Sequence, residues 1–88
     1  MKIKSGFVLQ QVGSGYLAVA VGERADQFAG LVRMNGTGAY LWNLLSEKDM
    51  THEELVEKML SEYDVSREQV EGDITAFENK LKENGILD

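Results

Sequence analysis

The spacing of apolar and polar positions changes midway along the chain. Two runs rich in β-forming residues come first, at residues 7–12 (FVLQQV) and 16–21 (YLAVAV), and Gly13-Ser14-Gly15 separates them. Because glycine adopts positive φ without a steric penalty, this spacing predicts an antiparallel hairpin. Alternate residues of the second run, from Leu17 to Val21, are apolar, so at least one face of the hairpin is suited to burial.

A third short strand is predicted at residues 28–34 (FAGLVRM), after a loop at residues 22–27 (GERADQ). Its residues divide into two alternating sets, Phe28, Gly30, Val32 and Met34 on one face and Ala29, Leu31 and Arg33 on the other. The strand pattern stops at Asn35-Gly36. Three strands form a sheet with two open edges.

The apolar spacing becomes helical after Asn35. Asn35 or Thr37 can cap a first helix, whose apolar positions are Leu41, Trp42, Leu44 and Leu45. Thr51 and Glu54 form a capping-box pattern before a second helix, with apolar residues Leu55, Val56, Met59 and Leu60. These capping and apolar patterns predict two helices between Asn35 and Leu60.

A third helix follows, with Ser66 as its N-cap and Gln69 completing a second capping-box pattern. Its apolar residues form one stripe at helical spacing: Val70, Ile74, Phe77 and Leu81. Asn84-Gly85 supplies a left-handed stop. The order of elements is βββααα, which predicts an α+β fold.

Length and composition limit what the chain can be. Its 88 residues make one small domain, 1–88, with no room for a separate catalytic domain. Without cysteine there is no disulfide, thiolate metal site or cysteine nucleophile. The N-terminus lacks the apolar region of a signal peptide, and no apolar run is long enough to cross a bilayer. We therefore expect a cytoplasmic protein that does not interact with membranes.

The charges are unevenly distributed. Residues 1–46 carry four basic and two acidic side chains, a net +2, whereas residues 47–88 carry five basic and thirteen acidic ones, a net −8. Nucleic-acid binding needs clustered Lys and Arg to neutralise phosphates. Although acidic helix faces commonly serve solubility alone, the acidic half argues against a nucleic-acid partner.

Few residues suggest catalysis. His52, the one histidine, lies in the first turn of a helix, where a structural or solvent-facing role is favoured over metal ligation or general-base chemistry. Gly36-Thr37-Gly38 precedes helical residues but lacks the Gly-Lys-Ser/Thr end of a phosphate loop. We predict no enzymatic activity, no cofactor and no metal.

The order of motifs resembles that of the PqqD-like proteins, also described as RiPP recognition elements, over nearly the whole chain. The residues that carry the resemblance are Met34-Asn35, Gly38, Trp42, Thr51, Tyr63-Asp64-Val65 and Gly85-Ile86-Leu87. Met34 replaces the leucine that is usual in this family. No single motif is specific, but their order and spacing together are.

The resemblance implies a winged-helix-like domain, related to proteins of PQQ biosynthesis. Such a domain recruits the leader segment of a ribosomally made precursor peptide and presents it to a modifying enzyme, often a radical SAM maturase. In this family the leader adds as a strand to the edge of the third strand and lies against the third helix. The sequence permits this independently, because the chain has no proline and its third strand carries only Arg33 as a charge.

Candidate peptide-binding residues follow from that implied geometry. The strand contributes Gly30, Leu31, Val32, Arg33 and Met34, and the third helix contributes Val70, Asp73, Ile74, Phe77, Lys80 and Leu81. We expect at least two of the four apolar helix residues to be ordinary core. Asp73 and Lys80 lie on one flank of the stripe and Glu71 and Glu78 on the other, and the sequence leaves open which flank faces the groove.

Further alternatives remain at this stage. Arg33 is either a solvated strand charge or a partner for a leader carboxylate. A winged-helix DNA-binding regulator is the first competing function, and an enzyme of unknown type is the second. The precursor, the modification chemistry and the oligomeric state are not readable from the sequence.

Overall fold

The computed structural model describes residues 1–27 and 32–88. Its elements, in chain order, are β1 (Phe7–Val12), β2 (Gly15–Ala20), α1 (Arg24–Gln27), β3 (Val32–Met34), α2 (Gly36–Glu47), α3 (His52–Glu62) and α4 (Arg67–Glu83). The predicted fold, a three-stranded antiparallel sheet followed by three helices, is confirmed. The single turn α1 lies where a loop was predicted, and Gly22, at φ +63°, precedes it.

The sheet has the order β1-β2-β3, and both pairings are antiparallel. The β1–β2 register runs without a bulge from Phe7↔Ala20 to Val12↔Gly15. Gly13, at φ +61°, begins the two-residue turn between them, a position where a left-handed conformation favours glycine. The predicted hairpin is therefore confirmed, with β2 starting and ending one residue earlier than expected.

One face of the sheet packs against the helices. Ala18, Val32 and Met34 point into this layer and are at most 9% exposed, whereas Arg33 between them is exposed. The helices contribute the rest of the core, chiefly Leu41, Trp42, Leu45, Leu55, Val56, Met59, Val70, Ile74, Phe77 and Leu81. Apolar residues recur every two positions in β3 and about every 3.6 positions in the helices, and both sets pack into one shared core.

The helix starts lie where the sequence predicts them. Asn35 caps α2, because its Oδ1 accepts a hydrogen bond from the Gly38 N–H at 2.9 Å. Thr51 and Glu54 form a complete capping box on α3, and the bond from the Thr51 backbone N–H lowers the pKa of Glu54. Ser66 caps α4 by accepting from the Gln69 N–H at 3.2 Å.

The end of α4 is fixed by a Schellman motif. Gly85, at φ +68°, donates its N–H to the Lys82 carbonyl, and Ile86 donates to the Leu81 carbonyl. Ile86 and Leu81 are both fully buried, which adds the apolar contact typical of this motif. The chain then pairs with the N-terminal segment through a bridge between Ile3 and Leu87.

Side-chain bonds join α3 to α4 on the protein surface. His52 Nδ1 lies 2.8 Å from Glu78 Oε1, and Arg67 donates to Glu53 and Glu57 at 2.9 and 2.6 Å. His52 thus links two helices, which is one of the two roles, structural or solvent-facing, that the sequence favoured. Within the described segments, no helix has the length and apolar character to traverse a bilayer.

Gly38 provides a test of how closely α2 approaches β3. A Cβ at Gly38 would lie 2.9 Å from Met34 Cβ, an atom fixed to the strand backbone, whereas a Cβ at Gly36 would meet nothing within 4 Å. We expect Gly38→Ala to lower the free energy of unfolding by about 1–3 kcal/mol, since helix and strand must move apart. Urea denaturation measures the change.

Gly36→Ala is the matched control, because it makes the same substitution in the same helix turn. Alanine is the better helix former, so this variant should be neutral or more stable by up to about 1 kcal/mol. Equal effects of the two substitutions would contradict close packing at Gly38.

Candidate functional site

The open edge of β3 is the first element of the candidate site. β3 pairs with β2 through Tyr16↔Met34, Leu17↔Arg33 and Ala18↔Val32. In the described part of the chain, no strand pairs with its other side. The short strand β3 is therefore an edge that a further strand can join.

The direction of the backbone groups in β3 follows from β2. The Val21 N–H, just after β2, donates to the Gly6 carbonyl on the β1 side at 2.8 Å. Successive residues direct these groups to alternate sides, so Tyr16 and Ala18 direct theirs towards β3. Their partners Met34 and Val32 consequently bond to β2, and Arg33 directs its N–H and C=O to the open edge.

A contact from α4 supports this assignment. Lys80 Nζ donates a hydrogen bond to the Arg33 carbonyl at 2.6 Å. Since α4 lies outside the sheet, a carbonyl that it reaches points away from β2. Arg33 is thus the described residue of β3 whose main chain is available to a partner.

A cavity of about 260 Å³ lies beside this edge, between the β3–α2 junction and α4. Met34, Leu41, Ala76 and Phe77 give it apolar walls. The polar residues around it are Asn35, Thr37, Asp73 and Lys80. The space suits an apolar side chain, with charged groups of both signs at its margin.

The structure places the predicted site residues in two groups. Met34, Asp73, Phe77 and Lys80 line the cavity. Val32, Val70, Ile74 and Leu81 are at most 3% exposed and belong to the core. All four apolar residues of the α4 stripe belong to the core, and Phe77 among them also lines the cavity. The predicted Gly30 and Leu31 lie outside the described residues.

The two flanks of the α4 stripe have different surroundings. Asp73 and Lys80 lie on the cavity side of α4. Glu78 faces α3, where His52 contacts it at 2.8 Å, and Glu71 lies 3.7 Å from Arg67. The two acidic residues on that flank are thus engaged away from the cavity.

Sequence reasoning missed several residues that line the cavity. Asn35 and Gly38 were identified only as parts of the strand-to-helix junction, and Thr37, Leu41 and Ala76 were not considered as site residues. Ala76 lies three residues after Asp73 and four before Lys80, so helical spacing places all three on one side of α4. This spacing could have identified Ala76 as a site residue. Nothing in the sequence places the start of α2 opposite that side.

Two further cavities differ from this one in position. A second, of about 480 Å³, runs along α3 and is lined largely by exposed charged side chains such as Glu53, Glu57 and Lys58. A third, of about 370 Å³, extends from the hairpin turn to Arg33, Met34 and Asn35, so it adjoins the same edge from the outer face of the sheet. Among the described residues, no group of His, Asp and Glu is arranged to hold a metal ion.

Comparisons with known proteins match this architecture. A family profile described as coenzyme PQQ synthesis protein D (PqqD) matches residues 7–87. A solved structure of TbiB1 in complex with the TbiA(beta) leader peptide is 25% identical, has a TM-score of 0.74, and covers 100% of this chain and 95% of its own. A second, lasso peptide synthetase B1 complexed with the leader peptide, is also 25% identical, has a TM-score of 0.69, and covers 97% and 93%. A search of curated proteins found no significant match.

Proposed function

Since this chain belongs to the PqqD family, we propose that it is a non-catalytic protein that binds the leader segment of a ribosomally made precursor peptide. The bound leader adds to the sheet as a fourth strand along β3. The protein then presents the precursor to a modifying enzyme.

The open edge of β3 is the main support for strand addition. Arg33 directs a donor and an acceptor outward, and these are the groups that a peptide backbone pairs with. The two matched solved structures contain leader peptides by their own descriptions. Main-chain bonds would provide affinity at β3, and side-chain pockets would provide sequence preference.

The cavity between β3 and α4 gives a place for one leader side chain. Met34, Leu41 and Phe77 form its apolar walls, so a leader with an aliphatic or aromatic residue here gains free energy by burying it. Gly30 and Leu31 would extend the strand ladder on the N-terminal side of Val32. Val70, Ile74 and Leu81 would support the groove from the core without touching the peptide.

The partner that receives the leader is a modifying enzyme of precursor peptides. The family relationship favours a radical SAM maturase, and we place the complex in the cytoplasm, where such precursors are synthesised. The comparisons give no support to the DNA-binding alternative. The net −8 of residues 47–88, which include α3 and α4, also opposes a phosphate backbone.

A titration followed by NMR tests the proposal. Synthetic peptides of about 20 residues, tiled across short reading frames beside the gene, would be added to the ¹⁵N-labelled protein. We expect one peptide to shift the amide signals of residues 32–35 and of Asp73, Phe77 and Lys80. The signals of Glu53, Glu57 and Lys58, beside the wider cavity, are the internal control and should stay unchanged.

Two outcomes would overturn this proposal. Shifts centred on the α3 cavity would show that the peptide binds elsewhere. If no peptide binds and duplex DNA shifts the same spectrum, the regulator function would replace leader recognition.

A further inference from the structure

The bond between Lys80 and Arg33 occupies the acceptor that strand addition requires. Lys80, which lines the cavity, donates from Nζ to the Arg33 carbonyl at 2.6 Å. A strand that joins β3 must donate its own N–H to this carbonyl. A carbonyl oxygen has two lone pairs, so the incoming N–H competes with the Lys80 ammonium for this oxygen.

Charged side chains that occupy the backbone groups of an edge strand protect it from unwanted pairing. An open edge pairs with any extended chain, and proteins limit this with charged side chains, especially lysine, placed along the edge. Arg33 points its side chain to solvent, so it does not block the outward backbone groups itself. Lys80 performs that role from α4.

An ammonium that loses this competition needs a new partner. Within the described segments, no carboxylate lies within salt-bridge distance of Lys80. Asp73 lines the same cavity, but seven residues of helix place it about 10 Å further along the axis. An acidic side chain on the incoming strand would lie much closer, and a charge-assisted bond to it would replace the one lost at Arg33.

We infer that Lys80 both guards the β3 edge in the free protein and selects leader segments that carry a carboxylate beside the pairing position. This inference rests on the proposed function. It adds a substrate class, an acidic leader, and it assigns Lys80 as a specificity-determining residue.

The alternation of side chains locates the carboxylate. The leader residue opposite Arg33 points to the outer face of the sheet, as Arg33 does. The residues before and after it point to the face of Met34, where Lys80 lies. The selected Asp or Glu is therefore a sequence neighbour of the residue that pairs with Arg33.

The experiment compares two peptides on three proteins. The peptides are the leader identified by NMR and the same leader with its acidic residue next to the pairing position changed to the amide. The proteins are the unmodified chain, Lys80→Met and Lys82→Met. Lys82 is the matched control, because it is exposed and lies in the same last turn of α4, so its loss changes net charge and helix dipole equally.

Calorimetric dissociation constants report the result. The unmodified protein and Lys82→Met should bind the acidic peptide up to about fivefold more tightly than the amide peptide, the upper range for one ion pair at an exposed lysine. Lys80→Met should bind both within about twofold, with the amide peptide bound more tightly than by the unmodified protein. Its ¹⁵N spectrum shows whether it is folded.

A ligand-free measurement tests the guard separately. The ¹³C signal of the Arg33 carbonyl should shift in Lys80→Met and stay in place in Lys82→Met. An unmoved signal, equal affinity of the unmodified protein for both peptides, or equal loss of discrimination in the two variants would overturn the inference while leader binding stands. Failure of every peptide to bind any of the three proteins would instead reject the proposed function.

Discussion

Replacing Trp42 by alanine should lower the free energy of unfolding by about 3–5 kcal/mol, the usual cost of truncating a large buried aromatic residue. Trp42 is 2% exposed and lies on α2, among the other buried residues of one core. Domains commonly have about 5–15 kcal/mol of stability, and small ones lie towards the low end, so the loss should remove a large part of the stability of this domain. Urea denaturation followed by far-UV circular dichroism measures the loss.

Circular dichroism is the appropriate probe, because Trp42 is the one tryptophan of the chain and its removal abolishes the fluorescence signal. Asn43→Ala is the control on the same helix, since Asn43 is exposed and its truncation should change stability by less than about 0.5 kcal/mol. Trp42→Phe should recover part of the loss. A Trp42→Ala variant as stable as Asn43→Ala would show that Trp42 does not anchor the core.

The fold was readable from the sequence because its signals are local. The cap at Asn35, the capping box at Thr51 and the stop at Gly85 each depend on residues within a few positions of one another. Apolar periods of two and 3.6 residues then assign the buried faces. The helical turn α1 was missed because four residues provide no period to detect.

The site was less readable because it depends on contacts between distant parts of the chain. Lys80 and Arg33 are 47 positions apart, and no local pattern announces their hydrogen bond. The sequence likewise does not show which flank of α4 faces the cavity. That depends on the contact between His52 and Glu78, which directs the other flank towards α3. Apolar stripes predict burial well, but they do not separate core residues such as Ile74 from core residues that also line the cavity, such as Phe77.

The direction of backbone groups in β3 was also hidden. Sequence alternation indicates which side chains are buried, but the phase of the hydrogen bonds depends on how β2 pairs on both of its sides. A proline at Val32 would therefore test the edge only if the Val32 N–H pointed outward. The register directs that N–H to β2, so Arg33 is the informative position.

Arg33→Pro should reduce leader affinity by about 10- to 100-fold while the fold remains intact. Proline removes the outward N–H, which leaves a leader carbonyl without a donor, and such losses cost about 1–3 kcal/mol. The sheet loses no hydrogen bond of its own, and edge strands tolerate proline on their open side. Calorimetry with the leader identified by NMR measures the affinity, and circular dichroism measures the melting temperature.

Two control variants separate the backbone effect from others. Arg33→Ala removes the guanidinium but keeps the N–H, so it isolates the contribution of the side chain. Val32→Pro removes an N–H that bonds to β2 and truncates a buried side chain, so it should lower the melting temperature instead. If folded Arg33→Pro binds the leader as tightly as Arg33→Ala does, the leader does not pair with β3. Strand addition at this edge would then be wrong, whatever the affinity of the unmodified protein.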